Sequence, residues 1–284
     1  MSTTTVRSRR ISNGIIYTIL SVMSVIWLIP IVWLVIRSFQ KEKGAWITTV
    51  LPQGYTFDNY IRLFTETDQF NYPLWFVNTL VVAIFTCIFA TMLVLMISYT
   101  FSRLRFKSRK MFMNIGLILN MFPGFMTMIA VYHILKAIGL YQSHISLVLV
   151  YSSGASLSYF IAKGFFDTIP KAMDEAATID GATRNQIFWR ITLPLTKPIV
   201  IYTALTSFLA PWMDFIFASV IMKDNYNKYT LAVGLFRMLE RENIYEYFTR
   251  FCAGAVIVSI PITILFIFFQ KYYVEGVTGG STKG

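Results

Sequence analysis

Residues 75–100 read WFVNTLVVAIFTCIFATMLVLMISYT, 26 consecutive positions without Asp, Glu, Lys or Arg. A helix needs about 20 predominantly apolar residues to cross a bilayer. In lipid, a lone segment can satisfy its backbone only as a helix. Working outward, further apolar stretches lie at 15–36, 111–133, 144–166, 199–222 and 251–272. The pattern predicts an all-α integral membrane protein with six transmembrane helices, organised as one domain over residues 1–284.

The composition agrees. Of 284 residues, 56% are hydrophobic, 17% aromatic and only 14% charged, whereas a soluble domain is about a quarter charged. A water-soluble enzyme, a disordered chain and a disulfide-stapled scaffold are excluded. The net charge of +11 would suggest nucleic acid in a soluble protein. Here the bases gather between apolar runs, where they act as orientation signals, and no nucleic-acid partner is expected. Cys87 and Cys252 lie inside apolar runs and form neither a metal-ligand set nor a disulfide framework.

The run after Arg7, Arg9 and Arg10 is too long for a signal-peptide core and lacks a cleavage site, so it is expected to be a retained anchor. Pro123-Gly124 interrupts the third stretch and Ser152-Ser153-Gly154 the fourth; neighbouring helices or a cavity can satisfy such breaks. Segments 1–14, 101–110, 167–198 and 271–284 hold 14 Lys and Arg, against 10 in 37–74, 134–143 and 223–250. Arg103, Arg105, Lys107, Arg109 and Lys110 crowd one of these loops. Both termini are therefore expected in the cytoplasm.

The loop 167–198 is too short for a folded domain and too patterned for a linker. Residues 170–180, PKAMDEAATID, read as a short helix. Asp167 or Thr168 can cap it, Pro170 suits its first turn, and Asp174 and Glu175 favour its positive end. Gly181 supplies the left-handed residue that ends a helix. Residues 182–190 read as a second helical stretch with Ile187, Phe188 and Ile191 on one side, stopped by Pro194 and Pro198. The residues alone leave two readings of this helix–glycine–helix elbow: an interfacial amphipathic connector, or a docking surface.

Glu175-Ala176-Ala177, Asp180-Gly181-Ala182 and Ile191-x-Leu193-Pro194 closely resemble the "EAA" loop of permease subunits in binding-protein-dependent ABC importers. That resemblance implies the type I ABC importer permease fold. It also implies a coupling helix that docks in a cleft of a cytoplasmic ATPase. Carried over by position, Glu175, Ala176, Ala177, Asp180 and Gly181 form the docking elbow, and Leu193 and Pro194 set its exit. The chain has no Walker-type glycine loop, so it is not expected to be an enzyme or to bind a cofactor. ATP and Mg belong to separate ATPase subunits.

Residues 229–234, YTLAVG, and 275–284, EGVTGGSTKG, in the tail 273–284 are similar to maltose-type carbohydrate permeases of the MalG-like kind. In those systems such a tail, here Gly276, Thr278, Gly279, Gly280 and Lys283, reaches the ATPase interface. The resemblance implies a heterodimer with a second, different permease subunit over two ATPase subunits. It also implies an external solute-binding protein and a location in a bacterial-type plasma or inner membrane. The cargo is expected to be maltose or maltodextrin, with another oligosaccharide or glycerol phosphate as the alternative.

Asp214 is the one acid inside an apolar stretch. An intramembrane carboxylate is a candidate for the substrate pathway, where Trp212 could stack on a sugar; the alternative is a carboxylate paired with a neighbouring helix. Glu240, Arg241, Glu242 and Asn243 are candidate binding-protein contacts or an ordinary solvated charge run. Lys163 is expected to snorkel, and Trp27, Trp33 and Trp75 to lie in the aromatic belts. His133 and His144 lack metal-site spacing. An ion-coupled secondary transporter is the rival class, but it predicts buried ionisable networks and internal repeats that this sequence does not contain.

Overall fold

A computed structural model describes residues 3–45, 51–154 and 156–278. The helices are α1 (Thr3–Ser38), α2 (Asp58–Thr65), α3 (Tyr72–Arg103), α4 (Arg109–Asn120), α5 (Gly124–Ala137), α6 (His144–Ser153) and α7 (Ser156–Asp167). They continue as α8 (Lys171–Ile179), α9 (Arg184–Ile187), α10 (Leu193–Leu195), α11 (Lys197–Met213), α12 (Ile216–Met222), α13 (Leu231–Met238) and α14 (Ile244–Thr278). Among the described residues there is no strand, only an isolated bridge between Gln40 and Tyr55.

Among the described residues, three helices are long and apolar enough to span a membrane unaided: Asn13–Ser38, Tyr72–Arg103 and Ile244–Val274. The other apolar stretches are broken. The third is bent by 103° between α4 and α5, because Pro123 cannot donate to the preceding turn and takes an extended ψ of 127° as the cap of α5. The fourth bends by 42° between α6 and α7. The fifth, expected as one helix over 199–222, ends at Met213, and α12 starts afresh at Ile216.

Contacts divide the chain into two compact units, residues 1–70 with 237–259, and 71–236 with 260–284. In the first, Asn59 ties three segments together. Its Nδ2 donates to Ser38 O (2.9 Å) and Gln40 O (2.8 Å), while its Oδ1 accepts from Thr249 Oγ1 (2.9 Å). The long α1 leaves the apolar side chains of its middle turns exposed.

The second unit is organised around α3. Asn71 caps it by accepting Leu74 N–H on its side chain (3.0 Å), with Pro73 in the first turn. Lipid removes most of the hydrophobic drive between helices, so packing depends on close approach and interhelical hydrogen bonds. Accordingly Ala83, Ala90, Ala162 and Ala218 are fully buried. Ser98 Oγ donates across to Tyr159 O (3.0 Å) and Cys87 Sγ to Ala204 O (3.3 Å). Val94, Leu95, Tyr99, Phe166 and Ile199 form the core at the C-terminal end of α3.

Candidate functional site

The elbow is built on that core. In α8, Gly181 N–H bonds Thr178 O (3.1 Å) and Ala182 N–H bonds Ala177 O (2.9 Å). This paired closure needs a left-handed residue after the cap, and Gly181 supplies it with φ +83°. Pro170, not Asp167 or Thr168, occupies the N-cap. Asp167 is engaged elsewhere: Ser102 Oγ and Lys163 Nζ both donate to its carboxylate at 2.6 Å. Lys163 is thus paired one turn away instead of extended to solvent.

Thr183 opens α9 with a reciprocal capping box to Gln186. The helical stretch ends at Leu195, between Pro194 and Pro198 as the sequence suggests, but it passes through Pro194 first. A π turn over Phe188–Thr192 lets Leu193 N–H bond Phe188 O, five residues back. The wider turn accommodates the Pro194 ring, which would clash with the carbonyl four residues earlier in a regular helix. The chain then turns 84° into α11 at buried Thr196, whose Oγ1 donates to Thr192 O (2.8 Å).

Glu175, Ala176, Asp180 and Gly181 are exposed, Ala177 is buried and Ile179 is 86% exposed at the bend. Opposite that open face, three links anchor the elbow. Arg103 Nε lies 3.2 Å from Asp174 Oδ2 and its NH2 donates to Ile169 O (3.1 Å). The Phe188 ring meets Tyr99 at 4.8 Å. Leu193 packs against the α3 core, whereas Pro194 is exposed. The elbow therefore has a free apex and a base fixed to α3 and α11.

At the other end of α3, the segment 226–234 is clamped by side chains whose role there the sequence reading did not give. Trp75 Nε1 donates to Tyr226 O (2.9 Å), Asn78 Nδ2 to Asn227 O (2.9 Å) and Tyr229 O (3.0 Å). Leu231 N–H donates to Thr79 Oγ1 (2.7 Å). Trp75 is thus buried and not a belt residue. Hydrogen-bonding side chains at positions 75, 78 and 79 share one helical face, and that spacing was the available signal. Gly234 lies so close to Trp75 that a Cβ would fall 1.9 Å from its ring. His144 Nε2 lies 3.0 Å from Lys228 O.

Asp214 sits at the break between α11 and α12, not in mid-helix. Its carboxylate accepts from Tyr151 OH (2.7 Å), Phe217 N–H (3.2 Å) and Ala218 N–H (3.0 Å), so it pairs with a neighbouring helix and caps the next one. It also lines a cavity of about 420 Å³ with Tyr151, Ser158, Thr206, Ser207 and Phe217. Trp212 is not part of that lining; its ring packs on Phe76 (5.2 Å) and Phe208 (6.1 Å).

Glu240, Arg241, Glu242 and Asn243 form the turn before α14. Arg237 NH1 pairs with Glu240 at 2.5 Å, and Asn243 Nδ2 donates to Arg237 O (3.0 Å). Arg241 and Glu242 are exposed. In the tail, Gly276 and Thr278 fall in the last turns of α14, while Gly279, Gly280 and Lys283 lie outside the described residues. Among the described residues no cluster of three His, Cys, Asp or Glu is placed to hold a metal.

Comparison with known proteins gives the family of this bent-span helical membrane protein with its anchored, glycine-ended elbow. The chain belongs to the binding-protein-dependent transport system inner membrane components, whose profile matches residues 94–279. It is 37% identical over 269 residues to the galactooligosaccharides transport system permease protein GanQ of Bacillus subtilis, covering 94% of each chain. It is 33% identical to the maltodextrin permease protein MdxG of the same organism, covering 98% of each. The maltose/maltodextrin permease protein MalG of Escherichia coli is 32% identical over 87% of this chain and 84% of its own. A crystal structure of a bacterial ABC transporter involved in alginate import has the same fold, with a TM-score of 0.78 over 94% of this chain and 98% of that one, at 24% identity. The protein is thus an integral membrane permease component of an ABC importer and not an enzyme.

Proposed function

We propose that this chain forms half of the membrane pathway of an oligosaccharide importer, pairing with a second, different permease subunit. Two cytoplasmic ATPase subunits bind ATP and Mg, an external solute-binding protein delivers the sugar, and this chain binds no cofactor. Both termini lie in the cytoplasm. The observation that carries the reading is the elbow, whose exposed apex opposes a base fixed to α3 and α11. A push on Glu175, Ala176 and Ile179 would pass through Phe188 and Leu193 into those two helices. The tail from Gly276 to Lys283 reaches the ATPase interface.

The 229–234 segment and the tail support maltodextrin as cargo, and the likeness to GanQ over 94% of the chain supports a galactooligosaccharide as the second reading. Asp214 reaches the pathway through its cavity, and Arg241 and Glu242 are available to the binding protein. Purifying the assembled complex with its binding protein, and analysing the sugar that protein holds, tests both. A bound oligosaccharide supports the proposal, and its linkage decides between the readings. An amino acid or metal as the bound solute would overturn it.

A further inference from the structure

The turn after α3 and the start of α8 enclose a cavity of about 320 Å³ walled by Arg103, Arg105, Arg109 and Lys171, with Ser102, Asp174 and Glu175. Its charges do not cancel. Arg103 is taken up by Asp174 and Ile169 O, and Ser102 by Asp167. Arg109 lies within electrostatic reach of Asp167, which Lys163 already neutralises. Arg105 and Lys171 have no hydrogen bond or ion pair among the described residues. Three cations therefore face one remaining acid, Glu175, and Lys107 and Lys110 flank the turn.

The position of the cavity selects the anion. It lies at the end of the uninterrupted span Tyr72–Arg103, and basic residues that flank a span attract anionic headgroups. One turn beyond Arg109 on α4, Phe112 is 52% exposed, and its neighbour Met111 is 59% exposed. A phosphate held by Arg109 would thus have apolar surface beside it for an acyl chain, which free phosphate could not use. We propose that this cavity binds the phosphodiester of an anionic phospholipid, gripped by Arg105 and Arg109 from the α3–α4 turn and by Lys171 from α8. The lipid bridges the base of the elbow to α3, in parallel with the Arg103–Asp174 pair. Its consequence for transport rests on the proposed function, but the site itself does not.

The test uses the intact complex in phosphatidylcholine nanodiscs with and without phosphatidylglycerol. The readout is phosphatidylglycerol retained on the protein after detergent washing. A surface Lys or Arg is worth about fivefold in affinity for an anionic membrane. Lys171→Gln and Arg105→Gln should each lower retention by about that factor, and Lys171→Arg should restore it. Millimolar inorganic phosphate should not displace the lipid. Retention unchanged in both Gln variants would overturn the site. Displacement by inorganic phosphate would overturn the lipid assignment. Retention is read independently of transport, so a wrong cargo or a failed importer assay leaves this result standing.

Discussion

The Phe188 ring of the elbow meets the Tyr99 ring of α3 with centroids 4.8 Å apart, inside the cluster that also holds Val94, Phe166 and Ile199. This contact joins the elbow to the longest described span of its unit. Truncating a buried Phe costs about 3–5 kcal/mol in soluble cores, of which the geometry of an aromatic pair contributes roughly 1. Phe188→Ala should lower thermal stability. In complexes that still assemble, it should reduce binding-protein stimulation of ATP hydrolysis more than the unstimulated rate. Tyr99→Phe should be nearly silent, because the hydroxyl makes only a 3.5 Å contact to Arg184 O. Equal losses in both rates for Phe188→Ala would mean that the contact supports folding alone.

Much of this site was legible in the sequence, and what was not has identifiable causes. Gly181 was readable because a left-handed closure leaves a glycine behind. The breaks in the third and fourth stretches were visible as Pro123-Gly124 and Ser152–Gly154, although a 103° turn cannot be read from composition. Asp214 was read by its cost in lipid, yet its partners, Tyr151 and two backbone amides, lie on elements that only packing brings together. Pro194 and Pro198 were read as the stop, and the helix does end between them, although it first passes through Pro194, whose ring removes one hydrogen bond. The π turn shows that a helix can absorb that loss by adding a residue to the turn. Trp75 was assigned to a belt because Trp commonly lies there, whereas its indole N–H is claimed by Tyr226 O.

Gly234 gives a sharp steric prediction. A Cβ there would lie 1.9 Å from Trp75 Cε3, so Gly234→Ala must push the indole off Tyr226 O. Overpacking of this kind costs about 1–3 kcal/mol. Gly164→Ala meets nothing within 4 Å inside α7 and should be neutral or slightly stabilising through helix propensity. Thermal unfolding of both variants in the same detergent checks this. A Gly234→Ala protein as stable as Gly164→Ala would contradict the close packing described.

Asp214 is charged with holding a break together. Asp214→Asn replaces one acceptor oxygen by a donor while Tyr151 OH and two amides still need acceptors, at a cost of about 1–3 kcal/mol for the group left unsatisfied. Tyr151→Phe removes a single donor and should cost less. If the cap is the main role of Asp214, both variants should lose stability while the KM for uptake stays constant. A raised KM with unchanged stability would instead assign the carboxylate to the cargo.

The basic turn at 103–110 predicts the orientation. Ser108 and Asp224 are both exposed, and the positive-inside rule places only Ser108 in the cytoplasm. In intact cells an impermeant thiol reagent should label Asp224→Cys and spare Ser108→Cys, with both labelled after permeabilisation. The reverse pattern would invert the topology and remove the elbow from ATP.

The elbow itself is tested at Gly181. Its φ of +83° is held by two backbone hydrogen bonds, and a Cβ there would meet nothing within 4 Å. Substitution therefore acts through backbone strain alone. Residues with a Cβ lose roughly 1 kcal/mol in the left-handed region, β-branched ones more, and Asn is tolerated best. Gly181→Val should reorient the exposed face bearing Glu175 and Ile179 without disturbing Phe188, Leu193 or any spanning helix. Glu175→Lys should damage the same step differently, by reversing an exposed charge at the proposed ATPase interface. Both variants should insert and assemble with the second permease subunit, yet lose stimulated ATP hydrolysis and uptake, whereas Gly181→Asn should retain most of both. The measurement is ATPase rate and sugar uptake in reconstituted complexes, with and without loaded binding protein. Full stimulated activity in Gly181→Val would reduce the elbow to a connector between α7 and α11, and the route from ATP to the spans would have to lie elsewhere in the chain.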